Sequence, residues 1–315
     1  MNSDNKKRVA AIVGPTASGK TALSIALAKE LNGEIISCDS MQIYKRMSIG
    51  TAKPDIAEMD GVPHHLIDFI EPSVEFSCAD YSALAAEKID EITLKGRLPI
   101  FCGGTGLYID HVLGNTSFSE AGADDEYRKN LNKKAMDEGV EAVHALLREV
   151  DPLSAESIHP NNLKRVIRAL EIYHLTGKPK SIWDEESKSI DPPYDSKIIV
   201  LEYRDRERLY DRINKRVDVM LEAGLMDEVR SLYDDKSLVL SRTALQGIGY
   251  KEIFDYFDGK YTYDDAVEAV KKGSRNYAKR QMTWFRRYGE ECKIYMDDYA
   301  NFDEIVNIAK NKLTH

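Results

Sequence analysis

The eight residues Gly14-Pro15-Thr16-Ala17-Ser18-Gly19-Lys20-Thr21 meet every fixed position of the pattern G-x-x-x-x-G-K-[ST]. Glycines at this spacing let successive backbone N–H groups turn inward onto phosphate oxygens, and a helix beginning within the motif adds the positive end of its dipole. Lys20 reaches the outer phosphate, and the Thr21 hydroxyl is placed to ligate Mg2+. The motif does not say which bond breaks. In a kinase the outer phosphoryl group moves. The same cradle serves equally well for a pyrophosphate that is the leaving group of a carbon electrophile. Lys20, Mg2+ and the loop amides then stabilise the charge that grows as a C–O bond opens.

Other residues belong to the same chemistry by position. Asp39 opens Asp39-Ser40-Met41-Gln42-Ile43-Tyr44 directly after an apolar run. It is either a helix-capping side chain or a base opposite the phosphate loop. Thr105 follows Gly103-Gly104 and is either the cap of the next helix or a partner of that base. The pair His64-His65 is read as structural, because adjacent residues ligate one metal awkwardly and no third ligand lies at helical spacing. The four cysteines, Cys38, Cys78, Cys102 and Cys292, have no C-x-x-C spacing. They point to neither a zinc site nor a redox motif, and fit reduced thiols in a cytoplasmic protein.

These residues must be carried by a scaffold, and the first 115 residues alternate between strand and helix patterns. Apolar runs at 9–13, 34–38 and 98–102 read as buried strands, with 65–70 as a short one and 197–203 as a later one. Helices are expected at 18–31 and 77–95, the second with Ser77 and Asp80 in capping-box spacing and Gly96 at its stop. Such alternation gives a parallel sheet flanked by helices, with ligands gathered at the carboxyl ends of the strands. Residues 118–195 break the pattern. They read as helices only, 124–148 and 161–176 among them, before the turn-rich Asp191-Pro192-Pro193-Tyr194-Asp195. Helices return at 206–223, 225–233, 264–288 and 302–313. The expectation is therefore an α/β fold: a core like that of the P-loop NTPases over 1–117 and 196–315, with an all-helical insertion over 118–195.

The chain of 315 residues carries a net charge of −9, which taken alone argues against a nucleic-acid partner. Its distribution argues the other way. Residues 271–288 (KKGSRNYAKRQMTWFRRY) hold seven cations and no acid, and a local basic strip suffices to bind an anionic polymer. Tyr277, Trp284 and Phe285 are interleaved there and can pack or stack on bases. On the 162–175 segment, Leu163, Val166, Ile167 and Leu170 form an apolar stripe, so that Lys164 and Arg168 face outward together. No apolar run is long enough to span a membrane, and the N-terminus lacks the pattern of a secretory signal.

Eight blocks, GPTASGKT, DSMQIY, IGTAKP, GVPHHLID, GGTGLY, RVIRALEIY, GIGYKE and AKRQMTWFRR, follow one another from the first strand to the last long helix. Together they resemble one family closely: the tRNA dimethylallyltransferases, or IPP transferases, which prenylate an adenosine beside the anticodon. The resemblance implies that residues Gly14, Pro15, Thr16, Ala17, Ser18, Gly19, Lys20 and Thr21 hold the pyrophosphate of dimethylallyl diphosphate, with Mg2+ on Thr21 and with Arg212 and Arg216 as clamps. It implies that Asp39 is the base for the adenine N6 amine, with Thr105 as its hydrogen-bonding neighbour. Ser40, Met41 and Gln42 then touch the target nucleotide. Arg128 and the run Lys164-Arg165-Val166-Ile167-Arg168 hold the anticodon stem-loop of the tRNA partner. Gln246, Gly249, Tyr250 and Lys251 line the RNA channel, together with Lys279, Arg280, Gln281, Thr283, Trp284 and Arg286. The protein is expected to act as a monomer with no membrane partner. Base flipping is expected to bring the target adenine to the crevice.

Three other readings share part of this pattern. A small-molecule kinase using ATP needs the loop and a strand-end Asp but has no use for the basic helices. An RNA-binding protein without chemistry has no use for Asp39. An enzyme that prenylates free adenine nucleotides shares the core but needs no grip on an anticodon arm.

Overall fold

A computed structural model describes residues 6–114, 122–188 and 191–314. Its elements run β1 (Arg8–Val13), α1 (Lys20–Glu30), β2 (Gly33–Cys38), α2 (Ile56–Met59), β3 (His64–His65), α3 (Cys78–Leu94), β4 (Leu98–Gly103) and α4 (Gly106–Leu113). A helical run follows: α5 (Asp125–Glu138), α6 (Val140–Val150), α7 (Pro152–Ser157), α8 (Leu163–Thr176) and α9 (Lys180–Lys188). The chain returns through β5 (Asp195–Glu202), α10 (Arg206–Glu222), α11 (Leu225–Tyr233), α12 (Tyr250–Phe257), α13 (Tyr263–Phe285), β6 (Lys293–Tyr295) and α14 (Phe302–Thr314). The six strands form one sheet in the order β3-β2-β4-β1-β5-β6, and every pairing is parallel.

This is an α/β fold with a parallel sheet flanked by helices. Strands β1 and β2 are buried along nearly their whole length, as parallel strands covered on both faces must be. On one face, Leu23, Leu27 and Ala28 of α1 and Ile305, Ala309 and Leu313 of α14 pack with Ile12, Ile35 and Ile100 of the sheet. Strand β1 lies between β4 and β5 although the chain leaves it for β2. That change of direction opens the crevice at the carboxyl ends where α/β sheets collect ligands.

The chain divides into two compact units, Met1–Val112 with Tyr194–His315, and Leu113–Pro193. The second is helical and has its own core, in which Leu131, Val143, Leu147, Val166, Ile167 and Leu170 pack together. The upstream boundary expected at 117/118 lies outside the described residues.

Most expected elements are present within a few residues. Ser77 and Asp80 make the capping box of α3, and Gly96 at φ +70° follows it. One expected helix is in fact two. Residues 124–148 do not run as a single rod, because Gly139 at φ +90° ends α5 and begins α6. Strand β6 was not expected at all. The histidines have structural partners: His65 Nε2 lies 2.6 Å from the buried Glu34 carboxylate, which Lys95 and Arg97 also hold, and His64 Nδ1 lies 2.8 Å from the Val62 carbonyl.

Candidate active site

The Gly14–Thr21 segment is the turn between β1 and α1, and its backbone explains its sequence. Gly14 has φ +145°, and a Cβ there would stand 2.4 Å from the Leu201 carbonyl oxygen of β5. Gly19 has φ +93° and is the N-cap of α1, without a side-chain cap. The helix therefore starts at Lys20, two residues later than the sequence pattern suggests. The amides of its first turn have no helical acceptor and remain available to an anion. Ala17 takes φ +62°, a left-handed conformation that costs a residue with a Cβ roughly 1–2 kcal/mol. Side chains hold it on both sides: Gln281 Oε1 accepts from Thr16 N at 2.8 Å, and Arg212 Nε donates to the Ala17 carbonyl at 3.0 Å.

Lys20 is folded over this loop, with Nζ donating to the Pro15 carbonyl at 2.6 Å. Burial, aided by the Arg216 guanidinium, lowers its pKa to about 8 against the opposing pull of Cys102 and Asp39. Arg216 is also held below its ordinary value, chiefly by burial and against the attraction of Asp39. Two desolvated cations and one carboxylate thus share one crevice, an arrangement that favours an added polyanion. The Thr21 hydroxyl faces the Cys102 thiol, whose pKa is raised mainly by burial.

Asp39 follows β2 at its carboxyl end. Its Oδ1 accepts from Met41 N at 2.8 Å and Gln42 N at 3.3 Å. No helix follows Asp39 for it to cap; one oxygen instead fixes the Ser40–Ile43 turn, and the residue lines the crevice. Among the described residues, no hydrogen bond to the other oxygen is found. Thr105 does not cap α4 with its side chain. Its Oγ1 instead accepts from Ser40 N at 3.1 Å, tying the β4 loop to the β2 loop. Tyr277 of α13 lines the same crevice, and burial raises its phenol pKa, so it stays protonated. Gly103 permits this closeness, since a Cβ there would meet the Cys38 carbonyl oxygen at 2.0 Å.

A cavity of about 330 Å³ opens beside these groups, with Thr16, Asp39, Arg216, Tyr277 and Arg280 among its polar walls. Met41, Ile213, Val217, Met220, Leu225 and Val270 supply apolar walls. The volume suits a small organic ligand, and the composition suits one with an apolar part and an anionic part. Ser40, Gln246, Gly249, Tyr250 and Lys251, all expected beside the target nucleotide or RNA, line it as well. Gln42 instead turns its amide to the Thr51 and Ala52 carbonyls. Tyr250 is buried, with its hydroxyl donating to Glu228 Oε1 at 2.6 Å. Glu228 escaped notice in the sequence, where it reads as an ordinary first-turn acid. Its carboxylate also accepts from Ser48 N, Ile49 N and Gly50 N at 2.8–3.0 Å and so fixes the loop that walls the cavity.

The expected RNA contacts divide. Lys279, Arg280, Thr283 and Arg286 of α13 are exposed, as are Lys164 and Arg165 of α8. Others are committed elsewhere. Val166 and Ile167 are core residues of the helical unit. Arg128 Nε lies 2.7 Å from the fully buried Glu171 carboxylate and Arg168 Nη1 lies 2.6 Å from it, so both serve to neutralise an interior charge. Gln281 is 4% exposed and bridges two loops. Trp284 packs on Gly106, where a Cβ would come within 2.2 Å of its ring, and donates to Asp110 at 3.1 Å.

The chain is similar to known proteins along nearly its whole length. The family model described as IPP transferase matches residues 42–288, and that described as isopentenyl transferase matches residues 7–74. The tRNA dimethylallyltransferase of Geobacillus kaustophilus is 54% identical over 312 residues, 98% of either chain. That of Acetivibrio thermocellus is 52% identical over 305 residues, 96% of either chain. Among solved structures, the tRNA isopentenylpyrophosphate transferase of Bacillus halodurans superposes with a TM-score of 0.71 at 48% identity, over 98% of this chain and 97% of that one. A eukaryotic dimethylallyltransferase acting on tRNA gives 0.75 at 34% identity, over 89% of this chain and 70% of that one. With matches of this extent at both sequence and backbone level, the chain belongs to the IPP transferase family.

Proposed function

We propose that the protein transfers the dimethylallyl group of dimethylallyl diphosphate to N6 of the adenosine 3′ to the anticodon of tRNA, releasing diphosphate. The observation that carries this reading is the crevice shared by Lys20, Arg216 and Asp39 beside a cavity with apolar walls. A kinase needs no apolar chamber against its transferred group, and a passive RNA binder needs no buried lysine.

In this reading the diphosphate lies on the amides that begin α1, between Lys20 and Arg216. The N6 lone pair attacks C1 of the allyl group, the C1–O bond breaks, and its electron pair leaves on diphosphate. The N6 proton passes to Asp39. A free adenine amine is far too weak an acid to lose its proton to an ordinary carboxylate in advance, so the transfer accompanies or follows attack. Stabilisation must then come chiefly from the leaving-group side. Thr105 holds the Asp39 turn, and Tyr277 lines the crevice beside it. Mg2+ fits the donor set: it is commonly held by substrate phosphates, water and one or two protein oxygens. Thr21 supplies such an oxygen, and no cluster of three or more His, Cys, Asp or Glu side chains exists among the described residues to make a protein cage. When bound, the metal neutralises charge on the leaving diphosphate. The exposed cations of α13 and α8 take the anticodon stem-loop, and the work is done in the cytoplasm.

The test is transfer of label from radioactive dimethylallyl diphosphate to unmodified tRNA without ATP. Incorporation into free adenine nucleotides but not tRNA would favour the nucleotide-prenylating alternative. ATP consumption without prenyl transfer would overturn the reading.

A further inference from the structure

Gln281 lies in the most basic stretch of the sequence, yet its amide points inward. Oε1 accepts from Thr16 N at 2.8 Å, and Nε2 donates to the Gly104 carbonyl at 3.0 Å. Its fit is tight enough to dictate a neighbouring residue: a Cβ on Gly104 would stand 2.0 Å from Nε2. One side chain thus ties the loop after β1 to the loop after β4. Thr16 immediately precedes Ala17, whose left-handed backbone shapes the amide fan, and Arg212 holds the far side of that same residue through its carbonyl. One turn earlier on α13, Tyr277 lines the cavity together with Asp39 and Thr16. The inner face of the helix is therefore engaged with the catalytic loops while Lys279, Arg280, Thr283 and Arg286 face solvent.

We infer that Gln281 is a positioning residue for the diphosphate cradle, holding Thr16–Ala17 in its strained form, and not a contact to RNA. This deepens the proposed transferase reading and rests on it. Without the clamp, Thr16 N–H and the Gly104 carbonyl lose their partners, and nothing on that side keeps Ala17 left-handed. The loop relaxes and the amides no longer converge.

The experiment uses the full chain with Gln281→Met, which keeps length and volume but makes neither bond. Binding of inorganic pyrophosphate with Mg2+ is measured by calorimetry, and binding of an anticodon stem-loop RNA by fluorescence anisotropy at several salt concentrations. Loss of two buried hydrogen bonds should weaken pyrophosphate binding about 10- to 100-fold, with RNA affinity and its salt slope unchanged. Gln281→Glu is the second variant, and the one relied on if Gln281→Met does not fold. Its carboxylate cannot donate to Gly104, but its protonated form can, so pyrophosphate affinity relative to the unaltered protein should recover as pH falls. A fall in RNA affinity, alone or alongside pyrophosphate affinity, overturns the inference, as does no change in either. Failure of the unaltered protein to prenylate tRNA overturns the transferase reading instead.

Discussion

Replacing Lys20 by methionine should make the protein more stable and less able to bind diphosphate. Burial lowers the Lys20 pKa from 10.5 to about 8. A shift of about 2.5 units, at about 1.4 kcal/mol each, means that enclosing the ammonium costs folding about 3 kcal/mol. The folded value lies below the unfolded one, so between pH 8 and 10.5 the unfolded chain holds more protons. Stability from this group therefore rises across that window, and below pH 8 the full cost applies. Methionine removes the cost and also forfeits the bond from Nζ to the Pro15 carbonyl, worth about 1.5 kcal/mol for a charged donor. The difference is a gain of about 1.5 kcal/mol at pH 7. Urea unfolding at intervals from pH 7 to 10.5 measures it: the variant starts higher, and the unaltered protein overtakes it as its lysine neutralises. Calorimetry gives a second reading at pH 8. The unaltered protein should take up about half a proton more than the variant on binding pyrophosphate, because the anion restores the ammonium. A variant less stable at pH 7, or a difference that does not change with pH, would refute the argument that Lys20 is held charged at a cost.

Further outcomes follow from the same geometry. Asp39→Asn should lower single-turnover prenyl transfer about 10²- to 10⁴-fold while both substrates still bind; transfer at the original rate would remove Asp39 as the base. Chelation by EDTA should abolish transfer, and activity surviving it would dismiss the metal on Thr21. Neutralising Lys164, Arg165, Lys279 or Arg286 should each flatten the salt dependence of RNA binding by up to about one unit of slope. Arg128→Met should behave differently, costing about 1.5–3 kcal/mol in urea unfolding by removing one of the two guanidinium partners of the buried Glu171. Burial alone would raise the Glu171 pKa, but bonds from Arg128, Asp124 N and Arg168 outweigh it and hold it low. That stability is therefore present above pH of about 4.3 and is lost as pH falls through the lower folded value.

The phosphate motif and the strand-end positions of Asp39 and Thr105 were legible because they are local: an apolar run, a glycine pattern, a capping spacing. The extent of 124–148 was not, since Gly139 is tolerable in a helix until its φ is known. Strand β6 has three residues and no pattern of its own; it exists because β5 offers it an edge. The inner face of α13 could have been found, as Ala266, Val270, Ala278, Gln281 and Phe285 recur at helical spacing and are all buried. The seven cations drew the reading to charge and hid a glutamine in the buried stripe. The pairing of Arg128 and Arg168 with Glu171 was hidden for a different reason. An interior glutamate 43 residues from the first and three from the second decides their fate, and nothing in the run RALEIY marks Glu171 as interior.

Glu228 has a consequence in time as well as in space. Its one carboxylate takes three consecutive amides, Ser48 to Gly50, and the Tyr250 hydroxyl, so four bonds across some 200 residues of chain share a single anchor. Displacing the carboxylate removes the partner of all three amides and of the phenol at once. The three amides should therefore exchange their hydrogens with solvent as a unit, at one common opening free energy. Gly50 and Thr51 of that loop and the Tyr250 ring line the chamber beside Asp39, so the shape of that wall hangs on one glutamate rather than on many small contacts.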